Sequence, residues 1–242
     1  KTLIIAIFFL EFSISKLLLT EADKIFVLAR RMENTILKEG VDEEKITVIR
    51  NWSNTNIHQI QAKDNFYRKD LGLSGKFIVQ YAGNMGVSHY FQDLLQAAKE
   101  LRLKDDIRFV FIGNGSKFVK IKKYKYENDL ENILLLPFQP ENMLSQSLGI
   151  GDVHFVSLDT GFEGYLVPSK AYSALAAGKP IIYQGNKNGE IARMIIEENI
   201  GVVIPVKKPI GLKEAIMDYY RNPESIEEQR HRIYQIVASD YN

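Results

Sequence analysis

Short runs of apolar, mostly β-branched residues recur along the whole chain, and stretches with helical spacing fill most of the gaps. The runs are Ile25-Phe-Val-Leu28, Ile46-Thr-Val-Ile49, Phe77-Ile-Val-Gln-Tyr81, Phe109-Val-Phe-Ile112, Ile133-Leu-Leu-Leu136, Val153-His-Phe-Val-Ser-Leu158, Ile181-Ile-Tyr183 and Gly201-Val-Val-Ile204. Such short runs, apolar on both sides, fit strands buried on both faces. Between them, a segment starting near Tyr90 places Phe91, Leu94, Leu95, Ala98 and Leu101 on one helical face. Strand followed by helix, repeated, predicts an α/β fold with a parallel sheet covered on both sides.

The pattern breaks at Asn51-Trp-Ser-Asn-Thr-Asn-Ile-His-Gln-Ile-Gln, a polar stretch rich in turn-formers that holds the single tryptophan. Six strand candidates follow it, enough for a complete Rossmann-like domain, whereas two precede it, too few for a sheet of ordinary size. The expected organisation is the end of an N-terminal domain (residues 1–52), a linker (53–64), a complete second domain (65–225) and a C-terminal helix (226–242). The absence of an initiator methionine fits the reading of this chain as a fragment.

A formal net charge of +1 over 242 residues offers no attraction to nucleic acid. With no cysteine there is no disulfide, thiolate nucleophile or Cys-ligated zinc, which fits a reducing cytoplasmic setting. His58, His89, His154 and His231 are far apart and lack metal-ligand spacing, so no metal and no other cofactor is expected. The opening Lys1-Thr-Leu-Ile-Ile-Ala-Ile-Phe-Phe-Leu10 run, ended by Glu11, starts like a signal peptide but lacks a small-residue cleavage site. It is far short of the roughly 20 apolar residues of a spanning helix. Two readings stand: a buried helix of a truncated domain, or one that also makes peripheral contact with the inner membrane surface. Lys117, Lys120, Lys122, Lys123 and Lys125 project around a whole helix circumference, which predicts a solvated helix rather than a cationic patch.

In open parallel sheets ligands bind at the loops after the strands' carboxyl ends. Ala82-Gly-Asn-Met-Gly-Val-Ser-His89 holds Gly83 and Gly86, which allow close backbone approach, and leads into a helix whose start attracts anions. A phosphate cradle and an ordinary tight turn, with Ser88 as N-cap, are both compatible with it. Ile112-Gly-Asn-Gly-Ser116 reads as an Asn-Gly turn with the same potential, and Phe138 in Leu136-Pro-Phe-Gln-Pro140 as either a base-stacking or a core aromatic. The run Val153 to Leu158 leads to Asp159-Thr-Gly-Phe-Glu-Gly-Tyr-Leu-Val-Pro168, after which Ser169 is expected to cap a short helix stopped by Gly178 and Pro180. Glu163 is thereby placed at the ligand edge. Lys170, in the first turn against the helix dipole, points to an anionic partner.

The ordered set Gly-Asn-Met-Gly, Ile-Gly-Asn-Gly, Pro-Phe-Gln-Pro and Glu-Gly-Tyr-Leu-Val-Pro-Ser-Lys…Leu-Ala-Ala-Gly-Lys-Pro resembles the retaining GT-B-fold glycosyltransferases of the group 1 (family 4) type. It is most similar to the branch that builds bacterial capsule, O-antigen and exopolysaccharide. Ala22-Asp-Lys-Ile-Phe-Val-Leu-Ala29 and Glu44-Lys-Ile-Thr-Val-Ile-Arg-Asn-Trp52 resemble the end of the acceptor domain and the crossing to the donor domain, so the likeness runs from about Glu21 to Pro223. It implies two Rossmann-like domains, a UDP- or GDP-sugar as donor, and a saccharide or polyprenyl-linked acceptor. By position, Glu163 is the implied catalytic carboxylate, with Gly164, Tyr165, Leu166 and Val167 beside the donor sugar. Gly83, Asn84, Met85, Gly86, His89 and Lys170 are implied at the diphosphate. Gly113, Asn114, Pro137, Phe138, Gln139 and Ser173 are implied at the base and ribose. Two departures stand out: Ser173 replaces a second glutamate, and the first glycine loop carries no arginine or lysine. A sugar-nucleotide epimerase of the same fold and a non-catalytic nucleotide-binding module are the alternatives.

Overall fold

The computed structural model describes residues 15–49, 51–52 and 56–240, so the apolar opening run lies outside the described residues. Contacts divide the chain into two compact units, Lys1–Asn51 with Gly161–Val167, and Trp52–Thr160 with Pro168–Asn242.

In the first unit, β1 (Ile25–Val27) pairs in parallel with β2 (Ile46–Val48), and α1 (Arg30–Leu37) connects them. Val27, Val41 and Ile46 form its buried core. Two lysines brace the strand ends, Lys24 donating to the Glu44 carbonyl and Lys45 to that of Thr20, both at 2.8 Å.

The second unit is built on a six-stranded parallel sheet. Its strands are β3 (Phe77–Ala82), β4 (Ile107–Ile112), β5 (Ile133–Leu136), β6 (Val153–Ser157), β7 (Ile181–Gln184) and β8 (Gly201–Ile204). The spatial order is β5-β4-β3-β6-β7-β8. The chain therefore winds outward from β3, crosses back over the sheet, and continues from β6 in the other direction, as in doubly wound dinucleotide-binding folds.

Alternation along the strands serves both faces. Val79, Tyr81, Phe109, Phe111 and Phe155 join the main core with Leu94 and Leu95 of α3 (Gln92–Glu100), Ile121 of α4 (Phe118–Glu127) and Ile216 of α8 (Pro209–Arg221). Ile78, Val110 and Ile112 pack on the opposite side with Leu73 and Ile150. Of the remaining helices, α2 is Phe66–Asp70, α5 Leu144–Leu148, α6 Lys170–Ala176, α7 Glu190–Glu198 and α9 Pro223–Asp240.

Several local expectations shift. Helix α3 begins at Gln92 with Phe91 at the N-cap position, so Ser88 is not its cap. Ser169 does occupy the N-cap position of α6, but its side chain makes no capping bond. The described part of the 53–64 stretch packs on the second unit: Ile57 is buried beside Leu148 and Ala177, and the His58 N–H donates to Ser145 Oγ at 2.9 Å.

One buried ion pair ties the starts of the two central strands together. Arg68 on α2 donates to Asp152 at 2.9 Å, to the Ile150 carbonyl at 3.0 Å, and to the carbonyls of Leu73 and Lys76. Asp152 in turn accepts from the Ile78 N–H at 2.7 Å, so the pair joins β3 to the lead-in of β6. Truncating one partner leaves a charge and several carbonyls unpaired. Arg68→Met is expected to cost about 3 kcal/mol in urea denaturation at neutral pH. Arg68→Met with Asp152→Leu should cost less than the single change.

Candidate functional site

Strands β3, β4 and β5 end level with one another, Ala82 opposite Ile112 and Ile112 opposite Leu136. The ladder continues one residue further, where the Gly83 N–H donates to the Ile112 carbonyl at 2.8 Å and the Gly113 N–H to that of Leu136 at 2.9 Å. Both glycines hold φ near +130°, where a side chain is strained.

The two glycine loops are laced together. The Met85 N–H donates to the Asn114 carbonyl at 2.7 Å, and the Lys117 N–H to the Met85 carbonyl at 2.9 Å. A Cβ on Gly113 would stand 2.2 Å from the Gly83 oxygen, and one on Gly115 would stand 2.5 Å from Asn84 Oδ1. A Cβ on Gly83 would meet Lys170 Cε at 2.6 Å. The missing side chains thus make room for protein: loop against loop, and the lysine stem over Gly83. Of the two readings left open for the first loop, this packing accounts for its glycine at Gly83 as a tight turn does.

The candidate residues separate accordingly. The Met85 side chain is fully buried and both its backbone polar groups are used, so it offers nothing to a diphosphate. The N–H groups of Asn84 and Gly86 have no acceptor among the described residues. Asn114 is exposed, with Oδ1 turned back to the Gly115 N–H at 2.8 Å. Gln139 braces its own loop by donating to the Pro137 carbonyl at 2.9 Å, and Phe138 is largely exposed beside Gly113. Ser173 is half-buried and, three residues after Lys170 on α6, shares its helical face.

His89 and Lys170 make the densest cluster. His89 Nδ1 lies 2.7 Å from the Ser157 carbonyl, which can only accept, so Nδ1 carries the proton. Nε2 lies 3.0 Å from Lys170 Nζ. Both ring nitrogens of His89, a residue expected at the diphosphate, are thus engaged by protein groups. Burial draws its pKa from 6.5 to about 4, the neighbouring Lys170 adds to the fall, and the Ser157 bond opposes it. Burial also lowers Lys170, from 10.5 to about 8. The ammonium sits 5.6 Å above the Tyr81 ring centre, and the Tyr81 hydroxyl donates to the Asn84 carbonyl at 2.7 Å.

Glu163, Gly164, Tyr165, Leu166 and Val167 lie on the segment Gly161–Val167, which packs with the first unit. There Glu163 accepts from the Gly161 N–H at 3.0 Å, and a Cβ on Gly164 would meet Thr35 Oγ1 at 2.4 Å.

Tyr81, Ser157 and Lys117 were not legible as site residues. Tyr81 looks like any strand aromatic, and Ser157 acts through its backbone. Lys117 is one of the lysine run, yet it turns back to donate to the His89 carbonyl, while Lys120, Lys122 and Lys123 are exposed. Asp93, buried in the first turn of α3, accepts from Gln184 Nε2 at 2.6 Å and the Lys208 N–H at 2.7 Å, tying the ends of β7 and β8 to this loop region. No group of three or more His, Asp or Glu side chains converges as a metal site among the described residues.

The family model for glycosyl transferases group 1 matches residues 63–238. The chain belongs to that family. It is 31% identical to the probable glycosyltransferase WbjE of Pseudomonas aeruginosa over 81% of this chain and 49% of the relative. It is 27% identical to the putative colanic acid biosynthesis glycosyl transferase WcaI of Escherichia coli K12, over 73% of this chain and 44% of the relative. The chain thus spans about half the length of these relatives. Among solved structures, Anabaena Alr3699/HepE in complex with UDP-glucose superposes with a TM-score of 0.80 at 15% identity, covering 95% of this chain and 63% of that one. WaaG, a glycosyltransferase involved in lipopolysaccharide biosynthesis, gives 0.76 at 14% identity over 90% and 59%. At these identities the two structures speak to the α/β GT-B fold alone.

Two outcomes follow from this geometry. Gly113→Ala should cost about 2 kcal/mol or more in denaturant, because positive φ and the Gly83 carbonyl both oppose a Cβ. His89 and His154 are both buried, with pKa values lowered to about 4. A lowered histidine pKa favours the folded state when the ring is neutral, so this contribution is complete above pH 6.5 and is lost as pH falls towards 4. Urea midpoints should fall across that window, and less steeply for His89→Gln than for the unaltered chain.

Proposed function

We propose that this chain is the donor-binding portion of a glycosyltransferase that moves a sugar, with retention, from a UDP- or GDP-sugar to a saccharide or polyprenyl-linked acceptor. The observation that carries the reading is the Lys170 ammonium, held by His89 with its stem over Gly83 of the glycine loop at the carboxyl end of β3. When the bond from the sugar to the diphosphate breaks, negative charge grows on the leaving group, and a preset cation in a partly dry site favours that state. Positive charge grows on the sugar ring at the same time, which suits a carboxylate such as Glu163. Phe138 and the 137–140 loop are proposed to take the base, and Ser173 one ribose hydroxyl.

The colanic acid biosynthesis named for WcaI supports a role in cell-surface polysaccharide synthesis, and the UDP-glucose held by HepE supports a nucleotide-sugar donor. We place that work at the cytoplasmic side of the membrane, without a metal. No helix among the described residues is long and apolar enough to cross a membrane. Neither the epimerase nor the non-catalytic alternative gains an observation of its own.

Calorimetric titration of the chain with UDP, GDP and their sugars tests the reading and identifies the base. Weak binding is expected, weakened about tenfold further by Lys170→Ala, the loss of one charge-assisted bond. Glu163→Ala should spare binding and abolish transfer in a full-length protein. Absence of heat with every nucleotide and nucleotide sugar would remove the donor-site reading.

A further inference from the structure

The first glycine loop contains no cation, and the nearby ammonium comes from another element, the first turn of α6. A lysine with four rotatable bonds does not hold one position by itself, so something must select its rotamer. Three contacts do so here. The stem lies over Gly83, the ammonium stands above the Tyr81 ring, and one N–H points at His89 Nε2 at 3.0 Å. Only the last is directional.

That bond exists in one protonation state. The Ser157 carbonyl at 2.7 Å fixes the proton on Nδ1, leaving Nε2 with a bare lone pair in the neutral ring. A second proton would turn Nε2 into a donor facing an ammonium. His89 itself is held at the backbone, since Lys117 donates to its carbonyl, and its ring packs edge-on to Tyr81 with centroids 5.8 Å apart. The groups facing the pair include Tyr81 from β3, Phe91 ahead of α3, Ser157 from β6 and Lys117 ahead of α4, of which Tyr81 and Lys117 are titratable. No carboxylate contacts either side chain among the described residues.

We infer that His89 is a positioning residue that, as the neutral Nδ1–H tautomer held by the Ser157 carbonyl, aims the Lys170 ammonium for a diphosphate group. The remaining N–H bonds of that ammonium are left for phosphate oxygens. This inference rests on the donor-site reading and adds to it how the cation is held in a loop that lacks one. His89 is thereby not a ligand to the diphosphate.

The test is a double-mutant cycle on this chain, with UDP and inorganic pyrophosphate as probes in calorimetry. His89→Leu should weaken both by roughly the same factor as Lys170→Ala, about tenfold. The double variant should be no weaker than Lys170→Ala alone. His89→Gln, whose amide oxygen can accept from the ammonium, should recover most of the affinity. Factors that multiply in the double variant would mean that His89 binds the ligand on its own account, and an unchanged affinity in His89→Leu would mean that it does nothing; either result overturns the inference.

A second readout does not need the ligand. The pH titration of the Lys170 Cε resonance by NMR should move lower in His89→Leu, which removes the acceptor, and return towards its original position in His89→Gln. An unmoved titration overturns the inference. If the unaltered chain binds neither probe, the donor-site reading fails, while the lysine titration still decides whether His89 governs Lys170.

Discussion

Everything in the second unit's candidate site depends on the fork between β3 and β6, where a chain that has wound one way begins to wind the other. The loop after β3 must bend towards β4 while the chain after β6 bends away, and this divergence opens the sheet's edge. The hydrogen bond from His89 to the Ser157 carbonyl spans that fork near its carboxyl end. At the opposite end, Arg68 and Asp152 clamp the same two strands where they begin. The fork is therefore fixed at both ends by buried polar contacts. A mobile fork would leave Lys170 without a defined target.

The glycine loops show how packing and function share residues. Gly83 and Gly113 hold conformations that oppose a side chain, and each gives up its Cβ volume to a neighbouring protein group. The close approach brings the carboxyl-end loops of β3, β4 and β5 into one block, with Phe138 against Gly113. The ammonium then sits in a partly dry environment over an aromatic ring, where burial depresses its affinity for a proton. An ammonium with an incomplete set of partners is strongly attractive to an incoming anion, and binding would raise its pKa again.

The chain belongs to the group 1 glycosyl transferases. Its first glycine loop carries no lysine or arginine. The structure has Lys170 on α6 in that neighbourhood, with His89 engaged on it. The carboxylate assigned by resemblance, Glu163, belongs to a segment that packs with the first unit. Residues adjacent in the sequence motif, Glu163 and Lys170, are therefore divided between two units.

The sequence by itself determined the α/β class, the eight strands and the family, because buried parallel strands leave dense apolar runs whose spacing survives without any tertiary information. It also marked Lys170, since a cation at a helix start runs against the dipole. The helix expected from near Tyr90 begins at Gln92 and the one expected from 226 begins at Pro223, while Ser88 is not a cap and Ser169 holds the N-cap position of α6 without a side-chain bond, because capping depends on backbone angles that composition does not encode. Only the tertiary structure decided what the glycines make room for, which side chains brace Lys170, and that both nitrogens of His89 are occupied. Those facts rest on contacts between residues up to 81 positions apart, among them the Ser157 backbone carbonyl, and no side-chain pattern in the sequence records where a carbonyl will point.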